Sequence, residues 1–134
     1  MRAGLVVAAL LLGACAPPAA AGGDGSPLTV VLTARHSRFT PATLEVPVGT
    51  AVQFVVRNQD PIDHELIVGD QDVHDRHEGG TEPYHPPRPG EVTVPAGAEA
   101  ATTFVFDEVG TVVFACHLPG HFAYGMRGEV RVVA

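Results

Sequence analysis

Short apolar runs, broken every few residues by glycine or proline, set the tightest limit on what this chain can fold into. Val52, Phe54 and Val56 alternate with Gln53, Val55 and Arg57, the period-two pattern of a strand with one face in a core. Residues 28–33, 43–46, 64–68, 91–94, 102–106, 111–115 and 128–133 are further short β-branched or apolar segments. Turn signals such as Thr40-Pro41-Ala42, Val48-Gly49-Thr50 and Pro95-Ala96-Gly97 separate them. No segment shows a capped 3.6-residue period. The expectation is an all-β fold, a Greek-key β-sandwich of about seven to eight antiparallel strands.

The two ends of the chain read differently. Residues 1–15 carry Arg2, a short apolar stretch and then Leu12-Gly13-Ala14-Cys15. The apolar stretch is too short to span a bilayer and is read as an export signal. Its end resembles the lipobox of bacterial lipoproteins, which implies a lipid on Cys15 and an extracytoplasmic, membrane-tethered protein. Residues 16–27 are rich in Ala, Pro and Gly and read as a flexible linker. Residues 28–134 are one domain's worth of chain. Within them, residues 69–90 hold Asp70, Asp72, His74, Asp75, His77, Glu78, Glu82 and His85 with four prolines. They read as a long polar loop, a candidate for loose binding of a second metal.

With Cys15 taken by lipid or removed with the signal, Cys116 is the one cysteine of the domain, so no disulfide framework is possible, although an exported setting permits one. A lone thiol there calls for an occupant, and a metal supplies one. Arg is the sole basic residue type apart from His, and the net charge of −7 disfavours nucleic acid and anionic headgroups while suiting a basic protein partner.

Cys116 opens the most chemically loaded segment. Cys116-His117-Leu118-Pro119-Gly120-His121 is followed by Phe122-Ala123-Tyr124-Gly125-Met126. Thiolate, imidazole and thioether are thus spaced by four residues each, with Pro119-Gly120 and Gly125 able to fold the loop back. His64, in the apolar run His64-Glu65-Leu66-Ile67-Val68, supplies a second imidazole. One Cys, two His and a weak axial Met make the donor set of a blue-copper electron-transfer site. Zinc suits Cys and His but not Met. His117 follows the Cys along a strand and is expected to face away from the metal as a surface or supporting residue. Leu118, Pro119, Phe122, Ala123 and Tyr124 are candidates for an apolar rim around His121.

These residues resemble the cupredoxins over about residues 28–134. Residues 38–50, from Arg-Phe-Thr-Pro-Ala-Thr-Leu through Glu-Val-Pro-Val-Gly-Thr, resemble their opening strand–turn–strand. Asn58-Gln59-Asp60 resembles the approach to their first ligand. Pro119-Gly120-His121 and Gly125-Met126-Arg127-Gly128 resemble their closing loop, with the spacing of the rusticyanin, auracyanin and sulfocyanin type. The resemblance implies His64, Cys116, His121 and Met126 as ligands of one type 1 copper. It also implies a one-electron carrier between redox partner proteins, a monomer and not an enzyme. Two alternatives stay open: a copper scavenger or chaperone using the same site, and a cupredoxin module of an oligomeric copper enzyme. The chain departs from the pattern beside its first His. The family often places Asn or Ser there to brace the loop, and this chain has Asp63 and Glu65. Alternation expects Glu65 to point away from His64.

Overall fold

The structure is a computed structural model that describes residues 25–80 and 85–134. The export signal, Cys15 and residues 16–24 of the linker lie outside the described residues. All eight expected strands form, in order β1 (Leu28–Ala34), β3 (Thr43–Pro47), β4 (Thr50–Asn58), β5 (His64–Gly69), β6 (Glu91–Val94), β7 (Glu99–Phe106), β8 (Gly110–Ala115) and β9 (Arg127–Val133). A two-residue strand, β2 (Phe39–Thr40), makes the ninth.

The strands form two layers of order β2-β1-β4-β7 and β3-β9-β8-β5-β6. Both sheets are mixed, which corrects the expectation of a purely antiparallel sandwich. β1 pairs parallel with β4, Val30 opposite Phe54, and β3 pairs parallel with β9, Val46 opposite Val132. The chain leaves the first sheet at β2, adds β3 to the second, and returns as β4 beside β1. A strand that crosses between layers in this way comes back running in the direction of its neighbour.

The alternating positions meet between the layers. Leu32, Val52, Phe54 and Val56 of one sheet face Leu66, Phe114 and Val130 of the other, all without solvent exposure. Phe54 meets Phe106 of its own sheet in a T-shaped contact (6.2 Å between centroids) and links the layers through a tilted contact with Phe114 of the other (6.3 Å). Each buried phenyl stabilises the fold by about 1.5–3 kcal/mol. Gly128 sits against the Phe114 ring and the Ala42 carbonyl, where a Cβ has no room.

The segment expected to be a long polar loop contains a helix, α1 (Gln71–Glu78). Asp70 caps it, its Oδ1 accepting from the Val73 amide at 3.0 Å. Asp72 lies in the first turn, and Arg76 and His77 in the last, each at the end the helix dipole favours. Val73 packs on Gly69, and His74 and His77 form the buried face. The spacing 73, 74, 77 is helical, but two of the three inward residues are histidines, so no apolar stripe marks it.

Candidate metal centre

The donors stand at one end of the sandwich, and each is placed by a different device. His64 is the first residue of β5 and has no solvent exposure. The turn before it is held by Asn58, whose side-chain amide donates to the carbonyls of Ile62 (2.8 Å), Val94 (3.1 Å) and Pro95 (3.1 Å). Asp60 Oδ2 stands 2.8 Å from His64 Nε2. A carboxylate opposite Nε2 makes that nitrogen the donor and leaves the Nδ1 lone pair for the site. The Asp60 carboxylate also accepts the amides of His36 (2.7 Å) and Ser37 (2.8 Å), two residues held at φ 52° and 50°. Burial would raise the Asp60 carboxyl, but the Ser37 amide, the His64 ring and the His36 amide together hold it below its ordinary value.

Cys116 follows the last residue of β8 and is fully buried. The chain then turns through Gly120 (φ 82°), makes one helical turn, α2 (His121–Tyr124), and exits through Gly125 (φ 98°). Both glycines adopt the left-handed conformation that other residues reach only at a cost. The Met126 amide donates to the His121 carbonyl at 3.0 Å, and the Cys116 amide donates to the Met126 carbonyl at 3.0 Å. These two bonds close the loop, bringing His121 and Met126 back beside Cys116.

Three of the expected ligands present their donor atoms to one another. His121 Nδ1 lies 3.2 Å from His64 Nδ1 and 3.2 Å from Cys116 Sγ. Met126 is fully buried in the core cluster that contains Cys116. Two imidazole nitrogens each about 2 Å from one ion stand at about this separation. Burial, with help from the Glu65 charge, pushes the Cys116 thiol up to about 11, against amide hydrogen bonds that lower it. Burial and the neighbouring His64 lower the His121 pKa, against the carboxylates of Glu65 and Asp60. At neutral pH the pocket therefore offers a neutral thiol and, at His121, a neutral imidazole, and a bound cation must displace the thiol proton.

Glu65 takes the bracing position. Its side chain points away from His64, as alternation predicts, and Oε1 accepts the His117 amide at 2.9 Å. Its own amide donates to Cys116 Sγ at 3.4 Å. Both contacts fix the sulfur, one directly and one through the following residue. Sequence reasoning missed this role, and also missed Asp60 as the partner of His64. A carboxylate four residues before a candidate ligand was the available signal.

His117 does face away from the other donors, but it is no surface residue. Its side chain is 1 % exposed. Phe122 stacks on it at 4.9 Å, and His74 Nδ1 lies 2.8 Å from its Nε2. His74 Nε2 donates to the Val113 carbonyl at 3.2 Å, so His74 Nδ1 accepts from His117. On its other side His117 Nδ1 meets Glu78 Oε2 at 2.8 Å. Helix α1 is thereby tied to the loop that carries Cys116. Phe122 turns inward onto His117, while Tyr124 turns outward, 60 % exposed, with the Arg38 guanidinium 4.0 Å from its ring centre. Among the described residues, no helix is long and apolar enough to cross a membrane.

Comparison with known proteins agrees with this geometry. A family model described as a cupredoxin-like domain matches residues 4–130. The chain is 38 % identical over 98 residues to the copper-resistant cuproprotein CopI of Rubrivivax gelatinosus, covering 71 % of this chain and 59 % of that relative. The alignment thus spans less than two thirds of that protein. It is 27 % identical to CopI of Pseudomonas aeruginosa, covering 98 % of this chain and 96 % of that one. In fold it matches auracyanin B with a TM-score of 0.68, at 24 % identity, over 83 % of this chain and 93 % of the other. It also matches the auracyanin A of Chloroflexus aurantiacus, a blue copper protein, with a TM-score of 0.64, at 19 % identity, over 81 % of this chain and all of the other.

Proposed function

The chain belongs to the cupredoxin-like family and binds copper, and from that premise we propose that it is an extracytoplasmic one-electron protein whose single type 1 copper is held by His64, Cys116, His121 and Met126. The observation that carries this reading is the convergence of His64 Nδ1, His121 Nδ1 and Cys116 Sγ within the core end of a rigid sandwich. A thiolate, two imidazoles and a thioether fit copper and fit harder cations poorly. Copper bound there supplies reversible exchange of one electron between its two common oxidation states.

The chain's own residues make that exchange easy by resisting rearrangement. Asp60 holds the His64 tautomer, Glu65 and the Met126 carbonyl anchor Cys116, and the loop bonds hold His121. His121 is partly exposed and flanked by Leu118, Pro119 and Tyr124, a small apolar rim suited to brief encounters with a redox partner. The acidic net charge of −7 favours a basic partner. The protein is a carrier rather than an enzyme, a monomer, and tethered through lipid on Cys15.

A second reading is favoured by one observation: both relatives above are copper-resistance proteins. In it, the same site serves copper handling, taking up the ion or changing its oxidation state outside the cytoplasm. The two readings part in one experiment. The purified copper-loaded protein should show an intense thiolate-to-copper(II) band that Cys116→Ser abolishes. Met126→Leu should retain copper and raise the potential by removing an electron-rich ligand. A reversible potential with copper retained through many cycles supports the carrier, whereas rapid transfer of copper to a chelator supports handling. A folded protein with no band after copper addition overturns both.

A further inference from the structure

A second set of donors lies apart from the first, beside helix α1. His77 leaves the last turn of α1, His85 lies in the connection between α1 and β6, and Glu91 opens β6. His85 Nε2 stands 2.8 Å from Glu91 Oε2, and His77 Nε2 stands 3.3 Å from the same oxygen. The three donor atoms all lie within 4.8 Å of one another, and the two rings meet edge to face at 5.3 Å between centroids. The cluster is sheltered: the side chains of His77, Glu91 and His85 are 3 %, 9 % and 13 % exposed.

The hydrogen bonding of His85 gives this cluster its meaning. His85 Nδ1 lies 2.8 Å from the Pro86 carbonyl oxygen. A carbonyl only accepts, so Nδ1 carries the hydrogen. In the neutral ring Nε2 is then a bare lone pair, and it faces the carboxylate of Glu91 at contact distance. Two acceptors do not sit at 2.8 Å without a cation or a second proton between them. An outer N–H given to a backbone carbonyl is also the arrangement that orients a metal-ligating histidine. Arg88 Nη1 stands 3.9 Å from the same Glu91 oxygen.

The geometry points to a second metal site, formed by His77, His85 and Glu91, for a divalent cation of borderline softness, zinc(II) or copper(II). Two imidazoles and one carboxylate form a three-ligand set that suits both ions and leaves a position for water. The set contains no sulfur, so it favours a divalent ion over copper(I), whereas the first site is built around a thiolate. The site does not depend on the role proposed for the first one.

The test uses the full protein with its first site already filled with one equivalent of copper. Zinc(II) sulfate and, separately, copper(II) sulfate are titrated in at neutral pH, and bound metal is counted by equilibrium dialysis. One further equivalent should bind at micromolar or lower free metal. His85→Ala and Glu91→Gln should each lower that second affinity at least tenfold while leaving the thiolate-to-copper band unchanged, which reports an intact fold and first site. His74→Gln, outside the cluster, should leave the second equivalent in place. Uptake of zinc alone or of copper(II) alone identifies the ion and supports the site. A stoichiometry that stays at one metal overturns it, since the second proton on His85 then accounts for the contact. A second equivalent that survives His85→Ala and Glu91→Gln overturns it as well. Failure of the first-site band is a separate result, visible before any second metal is added.

Discussion

Asp60 shows how much one side chain outside the ligand set can decide. Its two oxygens accept from His64 and from the amides of His36 and Ser37. It therefore sets the tautomer of a candidate ligand and pins a neighbouring turn. Asp60→Asn keeps the size but gives up the charge, and an amide can offer its N–H where an acceptor is needed. Copper affinity should fall ten- to a hundredfold, the cost usual for losing the partner of a ligating histidine. Competition with a chelator of known affinity measures this, and an unchanged affinity would show that His64 is held without Asp60. The same scale explains Glu65. A carboxylate takes over the brace because the contact needs only an acceptor for the His117 amide, and either a carboxylate or a neutral side-chain oxygen supplies one.

At the scale of elements, α1 is the part of this chain that departs from a plain sandwich. It packs on β5 and reaches the loop of Cys116 through His74 and His117. It thus buttresses both the strand that begins at His64 and the loop that carries the sulfur. Its stability depends on the Asp70 cap more than on apolar burial, since its inward face is largely imidazole. Asp70→Ala should cost about 1 kcal/mol, and thermal unfolding should shift down by about 4 °C. The copper band should stay, because none of the four candidate ligands of the thiolate site sits on α1. Loss of the band together with the cap would show that α1 holds the loop in place.

The whole molecule's response to pH follows from groups whose proton affinities folding changes. Burial lowers the pKa of His74, and the nearby His117 and His77 charges add to this, against acceptor carbonyls that raise it. The folded state then binds fewer protons than the unfolded chain below the ordinary histidine value of 6.5. Stability from His74 is complete above 6.5 and is lost as pH falls toward its lowered folded value. Asp60, also lowered, behaves likewise in a more acidic window, with stability lost as pH falls below its ordinary 3.8. The metal-free protein should therefore lose stability steadily on acidification from pH 7 to 5 and further below 4. His74→Gln should make the first step shallower, the lowered His121 supplying the rest, as read from denaturation midpoints across that range. Stability that rises on acidification from pH 7 to 5 would refute the assignment.

The strands were legible because each carries its own evidence. Val52, Phe54 and Val56 must share a face, whatever the partner strand, since side chains alternate along an extended backbone. The candidate donors were legible too, and His64, Cys116 and His121 do converge: thiol, imidazole and thioether at fixed spacing between turn residues admit few other uses. What the sequence alone could not decide involves partners far apart along the chain. The parallel pairings of β1 with β4 and β3 with β9 depend on which sheet each strand joins. Helix α1 hid because histidines replace the apolar stripe, and they become inward-facing only when Val113, His117 and Glu91 come to meet them. The same is true of Asp60, Glu65 and the His77–His85–Glu91 cluster. A local pattern records what one segment buries, whereas a polar residue is buried only where a distant group satisfies its hydrogen bond, and that pairing exists only in the folded chain.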